Sequence, residues 1–236
     1  MSLQAVRFAG TNLSQWLAGM TIERSLLPDV ELSTVVVPAA DGDVVAGRRL
    51  KAMEVRVNAT LRGRTADEVS TYRHALAAAL DREAAGTLVL PDDPDVSYAA
   101  WVTGSTVMDR DHSNPHVTIA FHVPRADGQG VSRTASIGTS ATTVTRGGNR
   151  RAWPVVRANP SGSSFRVTNS STGRYVEAVG SFSGGALVID MLNETVRYSG
   201  GACSFALASD FFALESATQT LVATSAATVT WNERWL

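Results

Sequence analysis

One amphipathic helix is written into a chain that otherwise reads as strand, and this contrast narrows the possible folds more than any other feature. Val69, Tyr72, Leu76 and Leu80 recur at helical spacing behind Thr65-x-x-Glu68. That pattern is a capping box, in which the threonine oxygen and the glutamate satisfy each other's unpaired backbone donors. Asp67 and Glu68 lie near the positive end of the helix dipole, Arg82 lies near its negative end, and Gly86 supplies a left-handed stop. The spacing predicts a helix over 65–85, about 30 Å long at the α-helical rise. Its outer face is small in side chain: Ala75, Ala78, Ala79 and Ala85 alternate with Asp67, Thr71, His74 and Asp81. Alanine's helix propensity is sufficient cause for such a face. The sharper reading is that a neighbouring subunit packs there, with Thr71, His74, Ala75, Ala78, Ala79 and Arg82 as the candidate contact residues.

The strands fall on both sides of this helix. Lys51 to Leu61 alternates strictly, with Met53, Val55, Val57, Ala59 and Leu61 on one face and Glu54, Arg56, Asn58 and Thr60 on the other. Met20 to Leu27, Leu32 to Val37, Thr87 to Leu90, Tyr98 to Val107 and His116 to Val123 read as further strands, and Asp41-Gly42 as a hairpin turn. Ala126-Asp127-Gly128-Gln129-Gly130 is a small polar linker, beyond which short strands follow one another between Gly, Ser, Asn and Pro. A chain of 236 residues fits two domains of about half that length. The expected architecture is mainly β: an α+β domain over 1–125, with an antiparallel sheet around one long helix, and a β-sandwich over 126–236.

Composition removes several functions. A formal net charge of −1, with 18% charged residues, offers no basic surplus for a phosphate backbone. No apolar run is long enough to span a bilayer and no signal peptide is expected at Met1, so the reading is a soluble protein made in a reducing cytoplasm. Cys203, the single cysteine, has no partner for a disulfide and reads as a small buried strand residue. His112, His116 and His122 are spaced suggestively for a metal, but His116 and His122 share the polar face of a strand. Asp109-x-Asp111-x-Ser113 starts like a calcium loop and then lacks its glycine, with Asn114, and its final glutamate, with Ala120. Asp92, Asp93 and Asp95 sit among two prolines, Pro91 and Pro94, in what reads as a solvated turn, without the desolvation that an acid catalyst needs. With no nucleophile elbow, Walker lysine or dinucleotide fingerprint, neither catalytic residues, nor a metal, nor a cofactor is expected. Trp16, Trp101, Trp153, Trp231 and Trp235 would suit sugar stacking if two or three shared one exposed sheet face; burial is the competing explanation.

Taken in order, these segments resemble the distal tail protein family of siphoviruses, also called the phage tail-component family. In the first domain the resemblance runs through Asp41-Gly42, the Leu50 to Leu61 strand, Gly63, the helix, Thr87-Leu-Val-Leu90 and Tyr98-Ala-Ala-Trp-Val102. In the second it runs through Trp153-Pro154-Val155-Val156, Thr172-Gly173-Arg174, Gly185 to Asp190, Ser209 to Leu214 and Trp231-Asn-Glu-Arg-Trp235. It implies a structural virion protein at the phage tail tip, with a galectin-like second domain and a homohexameric ring built by the first. It also implies partners: the tail-tube protein on one face, a tail-associated hub or lysin protein on the other, and receptor-binding or baseplate proteins outside. Phage DNA would pass through the ring without sequence-specific contact, so the lumen should be neutral or acidic, and no membrane insertion is implied. Some relatives carry a carbohydrate-binding insertion, for which this chain has no segment. A lectin-like adhesion module is the alternative function, and a tail-tip hydrolase a more distant one.

Overall fold

The computed structural model describes residues 5–38, 41–109 and 115–236. The chain divides into two compact units, Met1–Gly128 with Leu236, and Gln129–Trp235. The polar segment after Arg125 is not a free linker: a strand begins at Gly128, where a Cβ would strike the side chains of Val96 and Tyr98.

Unit 1 contains β1 (Arg7–Phe8), β2 (Thr11–Asn12), β3 (Leu17–Arg24), β4 (Val30–Val36), β5 (Asp43–Leu50), β6 (Met53–Leu61), α1 (Ala66–Leu80), β7 (Gly86–Leu90), β8 (Asp93–Asp109) and β9 (His116–Val123). An unbroken antiparallel path runs β2-β1-β7-β8-β9-β6-β3. Its register follows from alternation. Val55 stands opposite Phe121, Val57 opposite Ile119 and Ala59 opposite Val117, so the apolar faces of β6 and β9 coincide and are buried together. The rings of Phe8 and Phe121 meet 5.0 Å apart in this core, and Leu76 and Leu80 of α1 close it. β4 and β5 form a separate two-stranded sheet. The acidic turn is tighter than expected: only Pro91 and Asp92 lie outside the strands, and Asp93 and Asp95 belong to β8.

The helix is shorter than its sequence pattern, 15 residues rather than the expected 65–85. Thr65 caps it as expected, its Oγ1 accepting from Glu68 N–H at 3.2 Å. The Glu68 carboxylate reaches one residue further back, accepting from Arg64 N–H at 2.7 Å, so the box is offset rather than reciprocal. Asp81 leaves the helix in an extended conformation, and Arg82 follows, its Nε donating to the Ala79 carbonyl. Gly86 is therefore not the helix stop. It opens β7, where the ring of Phe8 occupies the space a Cβ would need, 2.5 Å from its ideal position. Close packing, not left-handed backbone, requires the glycine.

Unit 2 contains β10 (Gly128–Ile137), β11 (Thr142–Thr145), β12 (Val155–Ala158), β13 (Ser161–Asn169), β14 (Tyr175–Ser183), β15 (Leu187–Asp190), β16 (Thr195–Tyr198), β17 (Gly201–Ala202), β18 (Ser204–Phe205), β19 (Thr218–Ala223) and β20 (Ala227–Trp235). One sheet has the order β17-β16-β15-β12-β20-β10 and the other β11-β19-β13-β14-β18. Between them lies a core to which each contributes alternate residues: Val156, Leu187, Ile189 and Val229 from one, Phe165, Val167, Val176 and Leu221 from the other. This is the expected β-sandwich.

Candidate assembly surfaces

The six helix residues singled out by sequence do not all face one way. Thr71, His74 and Ala78 are exposed and Ala75 is half-buried, at the i, i+3, i+4, i+7 spacing of one helical side. Arg82 is exposed beyond the helix end. Ala79 is the exception, buried on the side of Leu76 and Leu80, and belongs to the packing of unit 1. Thr71 Oγ1 turns back to donate to the Asp67 carbonyl at 2.9 Å, and on the same side the exposed His74 ring lies 3.2 Å from the Arg73 guanidinium.

The β4–β5 hairpin is the surface that the sequence reading missed. β5 was not expected as a strand, because Asp43 to Leu50 lacks alternation and ends in Arg48-Arg49. In the structure no residue of either strand is buried. Val30, Leu32, Thr34 and Val36 share one face of β4, and Val45 lies opposite Thr34 on the same face. Val36 is 72% exposed and Val45 56%. The other face carries the Glu31–Arg49 ion pair at 2.6 Å, which with its hydrogen bonds lowers the Glu31 carboxyl, and the Val35–Val44 pair near the tip. The valines on either side of Asp41-Gly42 were the available signal.

In unit 2 the polar side chains of the interior fasten the fold. Arg146 opens the loop after β11, and its guanidinium donates to the carbonyls of Glu215, Gly148 and Gly147 at 2.5, 3.1 and 3.2 Å. Trp231 Nε1 donates to the Arg146 carbonyl at 2.7 Å, and Asn149 and Arg150 N–H groups both donate to the Arg234 carbonyl. Gly148 has a φ of +65°, and the main chain of Arg234 fills the place of its missing Cβ. Glu233, whose side chain is 7% exposed, pairs with Arg133 at 2.5 Å and accepts from Trp235 Nε1 at 3.1 Å.

No catalytic constellation emerges from these residues. His116 and His122 are exposed on β9, whereas His112 and the remainder of the calcium-like pattern after Asp109 lie outside the described residues. Among the described residues no three His, Cys, Asp or Glu side chains converge as a metal site requires. The Asp93 carboxyl departs from the expected solvated turn: burial pushes it up, opposed by the Arg24 guanidinium, which itself pairs with Asp92 at 2.8 Å. Cys203 is half-buried between β17 and β18 rather than buried within a strand, and desolvation raises its thiol. Of the tryptophans, Trp231 is buried, Trp16 and Trp153 are half-buried, and Trp101 and Trp235 are partly exposed in different units. No helix among the described residues is long and apolar enough to cross a membrane.

Two family models match. One, described as the phage tail protein RIFT-related domain, covers residues 18–123, and the other, described as the siphovirus-type tail component, C-terminal domain, covers residues 147–235. The chain belongs to the siphovirus distal tail protein (Dit), or tail-component, family. It is a structural protein of the phage virion, at the tail tip. The crystal structure of the SPP1 Dit protein, described as a paradigm of the hub adsorption apparatus in phages infecting Gram-positive hosts, has the same fold. It superposes with a TM-score of 0.87 over 98% of this chain and 99% of that one, at 20% identity. The phage P2 baseplate in its activated conformation with Ca gives a TM-score of 0.40 at 7% identity, over 94% of this chain and 92% of that one. Comparison with curated protein sequences gave no match. In this chain Trp231 and Arg234 of β20 hold the loop that follows β11.

Proposed function

We propose that this chain is the hub of the distal tail, six copies closing into a ring that joins the tail tube to the tail-tip apparatus. The observation that carries this reading is the likeness in fold to a Dit protein described as a hub, over 98% of this chain and 99% of that one. Unit 1 forms the ring and unit 2 decorates its outside. One face of the ring meets the terminal ring of the tail-tube protein, and the other meets a tail-associated hub or lysin protein. Receptor-binding or baseplate proteins dock on the sandwiches. The role is structural and uses neither cofactor nor metal, and DNA passes through a lumen without a basic lining, which would retain it.

Joining is tested by adding the purified full-length chain to tubes assembled from the tail-tube protein and imaging them by electron microscopy. The hub reading predicts density capping one end of each tube. Decoration along the walls, or no binding at all, contradicts it. The lectin-like alternative asks for two or three exposed aromatics on one sheet face, and neither unit by itself presents more than one exposed tryptophan among the described residues, Trp101 in unit 1 and Trp235 in unit 2.

A further inference from the structure

The sequence holds two Asp-Gly dipeptides, Asp41-Gly42 and Asp127-Gly128, each preceded by alanine, and the fold treats them in opposite ways. An aspartate before glycine is open to a reaction within its own backbone, because no Cβ shields the amide nitrogen that follows it. Asp41 and Gly42 are both exposed, beyond Val36 and Asp43, the last pair of the β4–β5 ladder. Gly42 has a φ of +84°, nothing lies within 4 Å of the place its Cβ would take, and its N–H donates to no acceptor among the described residues. Asp127, in contrast, is half-buried, its carboxylate 3.7 Å from the Arg125 guanidinium. Gly128 is buried at the start of β10, where a Cβ would strike the side chains of Val96 and Tyr98.

We propose that Asp41 is a site of spontaneous isomerisation to isoaspartate, and that the fold withholds the same reaction from Asp127. The Gly42 nitrogen attacks Asp41 Cγ. A nitrogen–carbon bond forms, a carboxyl carbon–oxygen bond breaks, and the amide proton leaves with the hydroxyl as one water, closing a five-membered succinimide. Water then returns to either succinimide carbonyl. Addition at Cγ restores aspartate, whereas addition at the main-chain carbonyl breaks its bond to the Gly42 nitrogen and leaves the chain running through Cβ and Cγ. No atom is gained or lost overall, and water is the sole co-reactant. The product carries one additional carbon in the main chain between β4 and β5, in a hairpin that buries none of its residues, so no core packing opposes it. At Asp127, closure has to swing the Gly128 peptide away from Val96 and Tyr98, and so waits on local opening of β10. The reaction depends on the exposure of the loop and not on ring assembly.

The test keeps the full-length chain folded at physiological temperature and pH in heavy-oxygen water for several weeks, then digests it with trypsin in ordinary water. The two dipeptides fall in separate fragments, Ser25 to Arg48 and Ala126 to Arg133. Each passage through the succinimide takes up one solvent oxygen. The first fragment should gain a second chromatographic peak of the same composition that carries heavy oxygen and accepts a methyl group from an isoaspartyl methyltransferase, and the second fragment should not. In concentrated urea both fragments should change at similar rates, because their local sequences match and the fold no longer protects either. Asp41→Glu, which would have to close a six-membered ring, should abolish the new peak with an unchanged thermal midpoint. An unchanged first fragment, equal change in both fragments of the folded chain, or a peak that survives Asp41→Glu overturns the assignment of Asp41. A second fragment that stays inert in urea overturns protection by the fold.

Discussion

At the scale of single residues, Arg146 does more for unit 2 than its position in a loop implies. The residue is 9% exposed and its guanidinium donates to three main-chain carbonyls, while its own carbonyl accepts from the Trp231 indole. Arg146→Ala leaves those acceptors without a donor and should lower stability by about 2–4 kcal/mol, since hydrogen bonds from charged donors contribute about 1.5–3 kcal/mol each and the carbonyls lose them together. Chemical denaturation followed by Trp fluorescence measures this, and a loss below about 0.5 kcal/mol would mean that water replaces the clasp. Asp93 gives a pH prediction. Burial favours its protonated form, so its folded value lies above the unfolded one, and the ionised carboxyl costs stability at neutral pH. That cost is relieved as pH falls through the carboxylate range. Asp93→Asn should therefore raise the thermal midpoint at pH 7 and lose its advantage in acid. Cys203, with its thiol pushed up by desolvation, should alkylate at pH 8 more slowly than a free cysteine, and a rate equal to or above the free thiol's would place it in a different environment.

At the scale of elements, alternation in β6 and β9 was legible because the two neighbouring strands bury the same face in the core of unit 1, and a period of two in the sequence is a direct image of that burial. The helix was legible in kind and in its Thr65 cap. Its end was not, because the pattern Arg82 to Gly86 resembles a helix terminus while the chain turns out at Asp81, and the need for glycine at 86 comes from Phe8, distant in sequence. Ala79 was misplaced for a related reason: at a helix flank, a small side chain is equally suited to core and surface until the packing decides. Leu76→Ala should cost about 2–5 kcal/mol through a cavity in unit 1, whereas Ala78→Glu should leave the thermal midpoint where it is. Equal losses from both substitutions would mean that the outer side of α1 is packed within its own subunit. The hairpin was half-legible. Its turn was visible in Asp41-Gly42, but β5 has no buried face within the chain and so leaves no periodicity to read.

At the scale of the whole molecule, the order of segments identified the family where no single motif could. The β4–β5 hairpin leaves apolar residues exposed that the fold of unit 1 does not bury. The candidate site was legible only as a helix side, and a subunit interface leaves no signal in one chain beyond apolar residues that its own fold does not bury. The central claim is ring closure, and negative-stain electron microscopy of the purified full-length chain tests it most directly. The account predicts closed six-fold rings with a central hole, each about 150 kDa from six chains of 25.0 kDa. Dispersed monomers at high concentration, or open filaments that never close, would contradict it.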